Sequence, residues 1–357
     1  MKKRLLTLIT ILLPFAASAY DAKIDGIYYY LKSDSKEAEV TDGPIKYSGS
    51  VDIPATVIYD DVEYKVTTIK EYTFWECSKL TSVSIPNSVN TIKPFAFGNC
   101  SLTSITIPNS VKAIEYRAFY YCESLVSITL PESMTSIGDG VFVGCSSLTS
   151  ITIPNGITSI GDDTFWACFS LSSVTIPNSV TTIGEYSFVD CRSLTFISIP
   201  NSVTSIGRSA FSFCKSLTTI IIGNSVNKID NDAFEYCSAL TDVYCLAESV
   251  PSTNGNAFNG SSVENATLHV PANSVEAYKA AEPWKNFKDI VAWDGQSIET
   301  LEYTSPSNRI DVYSIDGKLI GSNTDQNGVA SIVNNLSSGT TVIVRMGEKS
   351  VKLVVGR

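Results

Sequence analysis

A cysteine recurs through the middle of the chain at an almost constant interval. Consecutive members of the series lie 23 residues apart, except for one interval of 22 where a residue is missing between Cys100 and Leu102. A phenylalanine stands three residues before each cysteine, and an isoleucine stands five residues before each phenylalanine. The series consists of Cys77, Cys100, Cys122, Cys145, Cys168, Cys191, Cys214 and Cys237. Self-similarity at a fixed period indicates a repeat architecture, in which one short unit stacks on the next.

The unit itself has the pattern of a short strand followed by a turn. A short alternating run follows each cysteine, as in Val83-Ser84-Ile85, and Pro86 comes next. Alternation sends the apolar side chains inward and the hydroxyl side chains outward, and proline ends the strand because it has no N–H for the ladder. The chain is therefore predicted to be mainly β, a solenoid of 23-residue units.

The repeat unit resembles a known family. It reads approximately IPNSVTSIGxxAFxxCxSLTSI and contains the LxxLxL pattern of leucine-rich repeats, as in Leu80, Val83 and Ile85. In this form it resembles the BspA-like family of bacterial surface proteins, whose leucine-rich repeats are of the Treponema type. The resemblance covers roughly residues 45–275. It implies a leucine-rich-repeat solenoid that adheres to host or neighbouring-cell proteins, such as extracellular matrix components.

The flanks of the array predict caps, which repeat proteins need at their ends. Residues 20–65 are predicted to be an N-terminal cap, with a hairpin over residues 57–64 that turns at Asp60-Asp61 and covers the open edge. Eight repeats occupy residues 66–245. Residues 246–293 are predicted to hold a degenerate repeat, a final strand at residues 268–271 and a short capping helix within residues 274–287.

The cysteines are predicted to form a buried structural ladder. Equivalent positions in adjacent coils lie about 4.8 Å apart with parallel Cβ vectors, whereas a disulfide needs Cβ atoms about 3.8 Å apart. The ninth cysteine, Cys245, aligns with inward strand positions and replaces an aliphatic residue. Scattered disulfides are the second interpretation. A metal site is the least favoured one, because there is one cysteine per coil, never CxxC, and His269 is the single histidine.

The N-terminal residues indicate export. Residues 1–19 run from a basic start at Lys2, Lys3 and Arg4 through an apolar stretch to Ala17-Ser18-Ala19, which is the pattern of a cleaved signal peptide. The stretch is too short to span a bilayer, and no other segment is apolar enough, so no transmembrane segment is expected in the mature chain. Its removal changes the formal charge from −10 to −13, which excludes nucleic acid as a partner.

No catalytic pattern is present. A nucleophile with a base would have to use His269, and GxSxG, HExxH and phosphate-cradling glycine loops are all missing from the sequence. The pairs Asp60-Asp61 and Asp162-Asp163 are interpreted as turn residues. We therefore expect no enzyme, no cofactor and no metal.

The outward strand positions predict where a partner binds. Most coils present only Ser and Thr there, but three consecutive coils present Phe196, Ile221, and the pair Asp242 and Tyr244. Apolar side chains on an otherwise hydroxylated face often mark a protein interface. A second aromatic group is predicted along the bends that precede the cysteines, with about half of its members packed between coils. It consists of Tyr72, Trp75, Tyr116, Tyr120, Tyr121, Trp166, Phe169, Tyr186, Phe213 and Tyr236.

The 23-residue period stops at about residue 296, and residues 296–357 predict a small antiparallel β-sandwich. Short strands are predicted at residues 311–315, 318–320, 329–333, 341–345 and 350–354. The segments IDVYSIDGKLI and NLSSGTTVIVRMGEKSVKLVV resemble the C-terminal sorting domain of the type IX secretion pathway in Bacteroidetes. That resemblance implies export to the outer-membrane exterior. A structural module without a sorting role is the rival interpretation.

The function expected from the sequence is non-catalytic binding at the cell surface or outside the cell. Extracellular or cell-surface proteins are the first class of partner. The alternative is a glycan-binding or envelope scaffold protein that uses the aromatic side chains of the bends.

Overall fold

The structure is a computed structural model that describes residues 20–254 and 256–293, together with the backbone of four later strands. Residues 20–293 form a β-solenoid of about ten turns, as the repeat predicts. The export segment proposed for residues 1–19 lies outside the described residues.

An antiparallel meander closes the N-terminal end of the solenoid. Its strands pair in the order of the chain, and the third one pairs in parallel with the strand that enters the first coil. The predicted hairpin is present, and Asp60 and Asp61 both adopt positive φ at its turn. Its second strand, Val62–Ile69, pairs in parallel with the third meander strand, Glu37–Thr41, so the hairpin and the meander belong to one sheet. The strands of this region are Ala22–Ile24, Ile27–Lys32, Glu37–Thr41, Ser48–Asp52, Thr56–Tyr59 and Val62–Ile69.

The predicted alternating runs form the first sheet of the solenoid, in which the strands are parallel and in register. Ser104, Ile105 and Thr106 face Ser127, Ile128 and Thr129 of the next coil; residues 150–152 pair with 173–175 in the same way, and the strands from residue 196 to 293 form a further parallel group. The strands are Lys79–Ser84, Ser104–Thr106, Ser127–Thr129, Ser150–Thr152, Ser173–Thr175, Phe196–Ile199, Thr219–Ile222, Asp242–Cys245, Thr267–Pro271 and Asp289–Trp293.

A second parallel sheet, which the sequence analysis did not predict, follows the Pro-Asn-Ser turn of each coil. It is built from two-residue strands, all but the last of which contain the repeated isoleucine, such as Ile114 against Ile137. The strands are Thr91–Ile92, Ala113–Ile114, Ser136–Ile137, Ser159–Ile160, Thr182–Ile183, Ser205–Ile206, Lys228–Ile229 and Ser252–Thr253.

A column of phenylalanine rings fills the centre of the solenoid. Consecutive rings stack with centroids 4.9–5.8 Å apart and planes within 19° of parallel. Tyr47 packs on the first ring of the column, and Trp284 and Phe287 pack on the last one. The buried rings are Phe74, Phe97, Phe119, Phe142, Phe165, Phe188, Phe211, Phe234 and Phe258. Both ends of the apolar column are thus covered, as stacking repeats require.

The C-terminal cap differs in detail from the prediction. The α-helix spans only Val275–Ala280, because Pro283 cannot continue it, and Tyr278 and Trp284 are buried. Short 3-10 turns surround it at Val263–Asn265, Ala272–Ser274 and Trp284–Asn286. The chain then adds Asp289–Trp293 in parallel to Thr267–Pro271, so the last strand of the sheet comes one strand later than predicted.

Four strands are described beyond residue 309, and they form one antiparallel sheet. In sheet order they are Leu319–Asn323, Ile310–Ser314, Thr341–Met346 and Lys349–Val354. These match four of the five predicted strands. The fifth, at residues 329–333, and the turn at residues 315–318 lie outside the described residues.

Candidate binding surfaces

The outward row of the first sheet is hydroxylated in the early coils, as the alternation predicts. Ser104, Thr106, Ser127 and Thr129 are exposed while the isoleucines between them are buried. This surface is largely polar, and Val126, directly before the strand Ser127–Thr129, is an exposed apolar side chain ahead of the coil that holds Phe196.

The predicted apolar patch on this face is largely an internal contact. Ile221 is only 5% exposed and forms a small cluster with Leu246, against which Phe196, Tyr244 and Trp293 pack. The expectation of three exposed apolar side chains is therefore corrected. Phe196 and Tyr244 remain half-buried, whereas Ile221 offers almost no surface to a partner. The sequence did not show this because Leu246 and Trp293 reach the cluster from outside the repeat pattern.

Asp242 and the single histidine form a pair beside this cluster. His269 Nε2 lies 2.9 Å from Asp242 Oδ1, and the His269 ring stacks on Tyr244 with centroids 4.2 Å apart. The hydrogen bond from His269 holds the pKa of Asp242 below its ordinary value. The ring is therefore occupied on its face and on Nε2, which suits a structural contact at the end of the sheet.

The bends that lead to the cysteines have an unusual backbone. From Tyr72 to Tyr236 each bend contains two residues with positive φ, four positions apart, such as Arg117 and Tyr121. In one coil both positions are glycine, Gly140 and Gly144, and glycine adopts positive φ without a steric cost. The other coils place larger side chains there. Aromatic ones occupy this conformation at Tyr72, Phe95, Tyr121, Tyr186, Phe213 and Tyr236.

Most of the aromatic side chains predicted along the bends are exposed. Seven of the ten are 37–45% exposed, while Trp75, Tyr120 and Tyr186 are partly buried. The exposed rings are Tyr72, Tyr116, Tyr121, Trp166, Phe169, Phe213 and Tyr236. Tyr72, Tyr121, Phe213 and Tyr236 lie at the positive-φ positions of the bends, and the other three lie within two residues of such a position. We call the outer face of these segments the bend surface.

Six rings of the first three coils form a continuous group, which we call the aromatic platform: Tyr72, Trp75, Phe95, Tyr116, Tyr120 and Tyr121. Tyr72 stacks on Phe95 at 5.2 Å, and Phe95 contacts Tyr116 and Tyr120 edge-on. Trp75 contacts Tyr72 and Tyr120, and Tyr120 contacts Tyr121 at 4.6 Å. Phe95 was not among the aromatic residues that the sequence pattern predicted for the bends.

Two glycines let rings of the platform lie against the backbone. A Cβ on Gly98 would come within 2.3 Å of the Trp75 ring, and one on Gly144 within 2.9 Å of the Tyr121 ring. These rings therefore lie directly over glycine backbone on one face.

Cations of the chain itself already lie over several rings of the bend surface. The Arg192 guanidinium lies 4.5 Å from the Phe169 ring centroid, and Arg208 and Lys215 lie over Tyr186 and Phe213. In the platform Arg117 lies over both Tyr116 and Tyr120, at 4.9 and 5.1 Å. The bend surface thus shows a repeated affinity of its rings for Arg and Lys.

All nine cysteines are buried with free thiols. From Cys100 to Cys237 each Sγ–H donates to the carbonyl oxygen of the phenylalanine in the preceding coil, at 2.8–3.4 Å. Ser261, which replaces the next cysteine of the series, donates to the Phe234 carbonyl in the same way. Burial raises the pKa of Cys245 to about 11 and that of Cys237 to about 12. Such thiols are poor nucleophiles at neutral pH.

The acidic residues of the bends take part in contacts between coils. Asp139 and Asp162 each accept a backbone N–H from the next coil, from Asp162 and Glu185 respectively. Asp163 lies 3.7 Å from Arg117, and partial burial raises its pKa. No group of three potential metal ligands occurs within the described residues.

These features define a class: a parallel β-solenoid of leucine-rich repeats with a buried phenylalanine column. The model of the BspA-type leucine-rich repeat region matches in six copies, over residues 61–172 and 158–279. Because this is more than half of the 357 residues, the chain belongs to the BspA-type leucine-rich repeat family. No curated protein matches the chain.

The solved structures similar to this chain include bacterial leucine-rich repeat proteins. A leucine-rich cell surface protein from Faecalibacterium prausnitzii is 26% identical, with a TM-score of 0.53, and the match covers 76% of this chain and 94% of that one. A leucine-rich repeat protein from Bacteroides ovatus is 25% identical over 76% of this chain and all of its own, with a TM-score of 0.41. The T. pallidum leucine-rich repeat protein is 30% identical over 55% of this chain and 90% of its own, with a TM-score of 0.49.

Helices long and apolar enough to cross a membrane do not occur in the part of the chain that the structure describes.

Proposed function

We propose that this chain is a non-catalytic protein of the cell surface or extracellular space, which binds proteins of host or neighbouring cells through its bend surface. The observation that carries the proposal is the row of exposed aromatic side chains on a rigid, repeating backbone. Aromatic and arginine side chains dominate the energetics of protein interfaces, since they bury a large area with little loss of conformational freedom.

The backbone conformation of the bends supports a binding role. A non-glycine residue at positive φ costs about 1 kcal/mol or more, and bulky aromatic residues are rare there. The bend with Gly140 and Gly144 shows that glycine fits the same turn. Retaining Tyr72, Tyr121 and Tyr236 in this conformation is easier to explain by a partner that contacts them than by folding.

The chemistry of the described residues supports a non-catalytic role. The ladder thiols are buried, and His269 is held by Asp242 and Tyr244. A nucleophile activated by an accessible base is what catalysis would require. Neither the ladder thiols nor His269 provides such an activated nucleophile to a substrate.

Export is part of the proposal. Residues 1–19 would direct secretion, and residues 296–357 would direct attachment at the outer-membrane exterior. Protease treatment of intact cells tests this. We expect the protein to be digested from outside, and expect deletion of residues 296–357 to shift it to the periplasm or the medium. Complete protection in intact cells would contradict the assigned location, and unchanged surface attachment after the deletion would assign residues 296–357 the rival structural role.

Binding itself is tested on immobilised purified extracellular matrix proteins, with and without an excess of free oligosaccharide. Saturable binding that free sugar does not reduce is the expected result. Binding only to glycans, or binding to matrix proteins that sugar abolishes, would favour the alternative of a glycan-binding protein. The exposed rings make that alternative chemically possible, since sugars also stack on aromatic faces.

A further inference from the structure

The aromatic platform carries exposed carboxylates that have no side-chain partner among the described residues. Glu71 and Glu76 flank Tyr72 and Trp75, and Glu123 follows Tyr121 by two residues. All three are exposed, and none forms an ion pair or a side-chain hydrogen bond within the described residues.

Several cations around the platform, by contrast, already have partners. Lys93 pairs with Glu115 at 2.8 Å, and Arg117 lies near Asp163 and over two tyrosine rings. Lys46 Nζ donates to the Trp75 carbonyl at 2.7 Å, and Lys70 lies 4.8 Å over the Tyr30 ring. Glu71, Glu76 and Glu123 thus add negative charge that no described side chain pairs with.

Rings in the platform are also free of cations. Within the described residues no Lys or Arg lies over Tyr72, Trp75 or Tyr121, although Arg117 occupies Tyr116 and Tyr120. In later coils the corresponding surface is occupied by Arg192, Arg208 and Lys215 of the chain itself. Trp166 and Tyr236 of the later coils also have no Lys or Arg over them within the described residues, but the carboxylates beside them, Asp163 and Glu235, have partners. Open rings and unpaired carboxylates therefore occur together on the platform.

We propose that the aromatic platform, with Glu71, Glu76 and Glu123, binds an arginine- or lysine-bearing segment of a partner protein. This rests on the proposed protein-binding function and names the chemistry of the partner. The guanidinium or ammonium groups stack on the open faces of Tyr72 and Tyr121, while the carboxylates pair with them. Cation–π contacts and ion pairs reinforce each other here, because the rings shield part of the ion pair from water.

The test uses a fluorescent peptide of alternating glycine and arginine, and a second peptide in which citrulline replaces every arginine. Citrulline has nearly the shape of arginine and no charge. We expect the arginine peptide to bind the purified protein, and the citrulline peptide to bind at least about tenfold more weakly. Binding of the arginine peptide should weaken as salt rises from about 0.05 to 0.5 M. Equal binding of the two peptides would overturn the proposal.

Two sets of variants locate the site. The triple variant Glu71→Gln, Glu76→Gln and Glu123→Gln should reduce binding about tenfold or more, since it removes the free carboxylates. The variant Tyr72→Asn with Tyr121→Asn should do the same, because asparagine tolerates positive φ and keeps the backbone. The matched control Asp61→Asn, Glu248→Gln and Asp289→Asn makes the same change in net charge on exposed residues elsewhere, and should bind like the unmodified protein.

The outcomes separate this inference from the function on which it rests. If the control weakens binding as much as the platform variants do, the attraction is unspecific and the inference fails. If the unmodified protein does not bind the arginine peptide but binds an oligosaccharide that the platform variants no longer bind, a glycan is the occupant. The inference then also fails. If matrix proteins bind the triple glutamine variant and the unmodified protein equally, protein binding stands while the proposed partner chemistry is wrong.

Discussion

Each ladder cysteine is small enough for the bend and apolar enough for the interior. Its thiol can also donate one hydrogen bond to the preceding coil. The Sγ–H of Cys168, for example, lies 3.2 Å from the Phe142 carbonyl oxygen. The apolar column therefore contains a regular polar contact between coils, and Ser261 shows that a hydroxyl can replace the thiol. The sequence predicted burial at these positions but not this hydrogen bond, because its acceptor lies 26 residues earlier in the chain.

Substitution of Cys168 should distinguish packing from hydrogen bonding. Cys168→Ala removes both and should cost about 1–3 kcal/mol, whereas Cys168→Ser keeps the donor and should cost about 1 kcal/mol or less. Urea unfolding of the two variants gives the comparison. A serine variant less stable than the alanine variant would show that the thiol acts only as an apolar filler.

The stability of the solenoid should fall at alkaline pH. Burial raises the pKa of the thiols in the folded chain, to about 11 for Cys245 and about 12 for Cys237, from an ordinary value near 9. The folded chain therefore keeps protons that the unfolded chain releases. The contribution to stability is full below pH 9 and is lost as pH rises towards 12, by about 1–3 kcal/mol for each such thiol. Urea midpoints between pH 7 and 11 measure it.

A thiol count provides the companion measurement. Without reductant, a thiol reagent should label almost no cysteine in the folded protein at pH 8 and all nine after unfolding. A low count after unfolding would contradict the ladder of free thiols and indicate disulfides.

At the scale of the element, the sequence predicted the first sheet but neither the second sheet nor the backbone conformation of the bends. The alternation in Ser104-Ile105-Thr106 predicted the first sheet, because a period of two is visible even in three residues. Thr91–Ile92 is too short for any period, so the second sheet became visible only when the coils were stacked. The positive φ of Tyr72 and Tyr121 had no signal either, since tyrosine does not mark that conformation as glycine does.

One substitution can test the contact between the Trp75 ring and the backbone of Gly98. Gly98→Ala drives a Cβ into the indole ring, which must move at a cost of about 1–3 kcal/mol. We expect a lower urea midpoint and a red shift of tryptophan emission. Ser212→Ala changes the same position in a later coil, where no ring lies on the backbone, and should leave the emission unchanged. An unaltered emission spectrum for Gly98→Ala would show that the Trp75 ring does not contact the backbone of Gly98.

At the scale of the whole molecule, the solenoid behaves as a stack in which each coil contacts its neighbours. The phenylalanine column and both parallel sheets repeat with the coil, and caps close the two ends. The period alone predicted this architecture. It did not predict that Trp293 and Leu246, which lie outside the repeat, cover Ile221. Because Ile221 is covered, we place the candidate binding site on the bend surface instead of the outer face of the first sheet.

Deletion of one whole coil should therefore preserve the fold. Removal of residues 146–168 joins two coils at equivalent positions and should give a folded, less stable protein with a smaller dependence of unfolding free energy on urea. Removal of residues 146–156 alone breaks the register and should not fold. Circular dichroism and urea unfolding measure both, and equal damage from the two deletions would contradict a stack of independent coils.

The central claim is that the bend surface, rather than the outer face of the first sheet, carries the binding. Two variants compare the surfaces directly on one immobilised matrix protein that binds the unmodified chain: Tyr72→Asn with Tyr121→Asn on the bend, and Thr106→Lys with Thr129→Lys on the sheet. With both variants folded by circular dichroism, we expect the bend variant to lose about tenfold or more in affinity and the sheet variant to retain it. Full affinity in the bend variant, with loss in the sheet variant, would contradict the account.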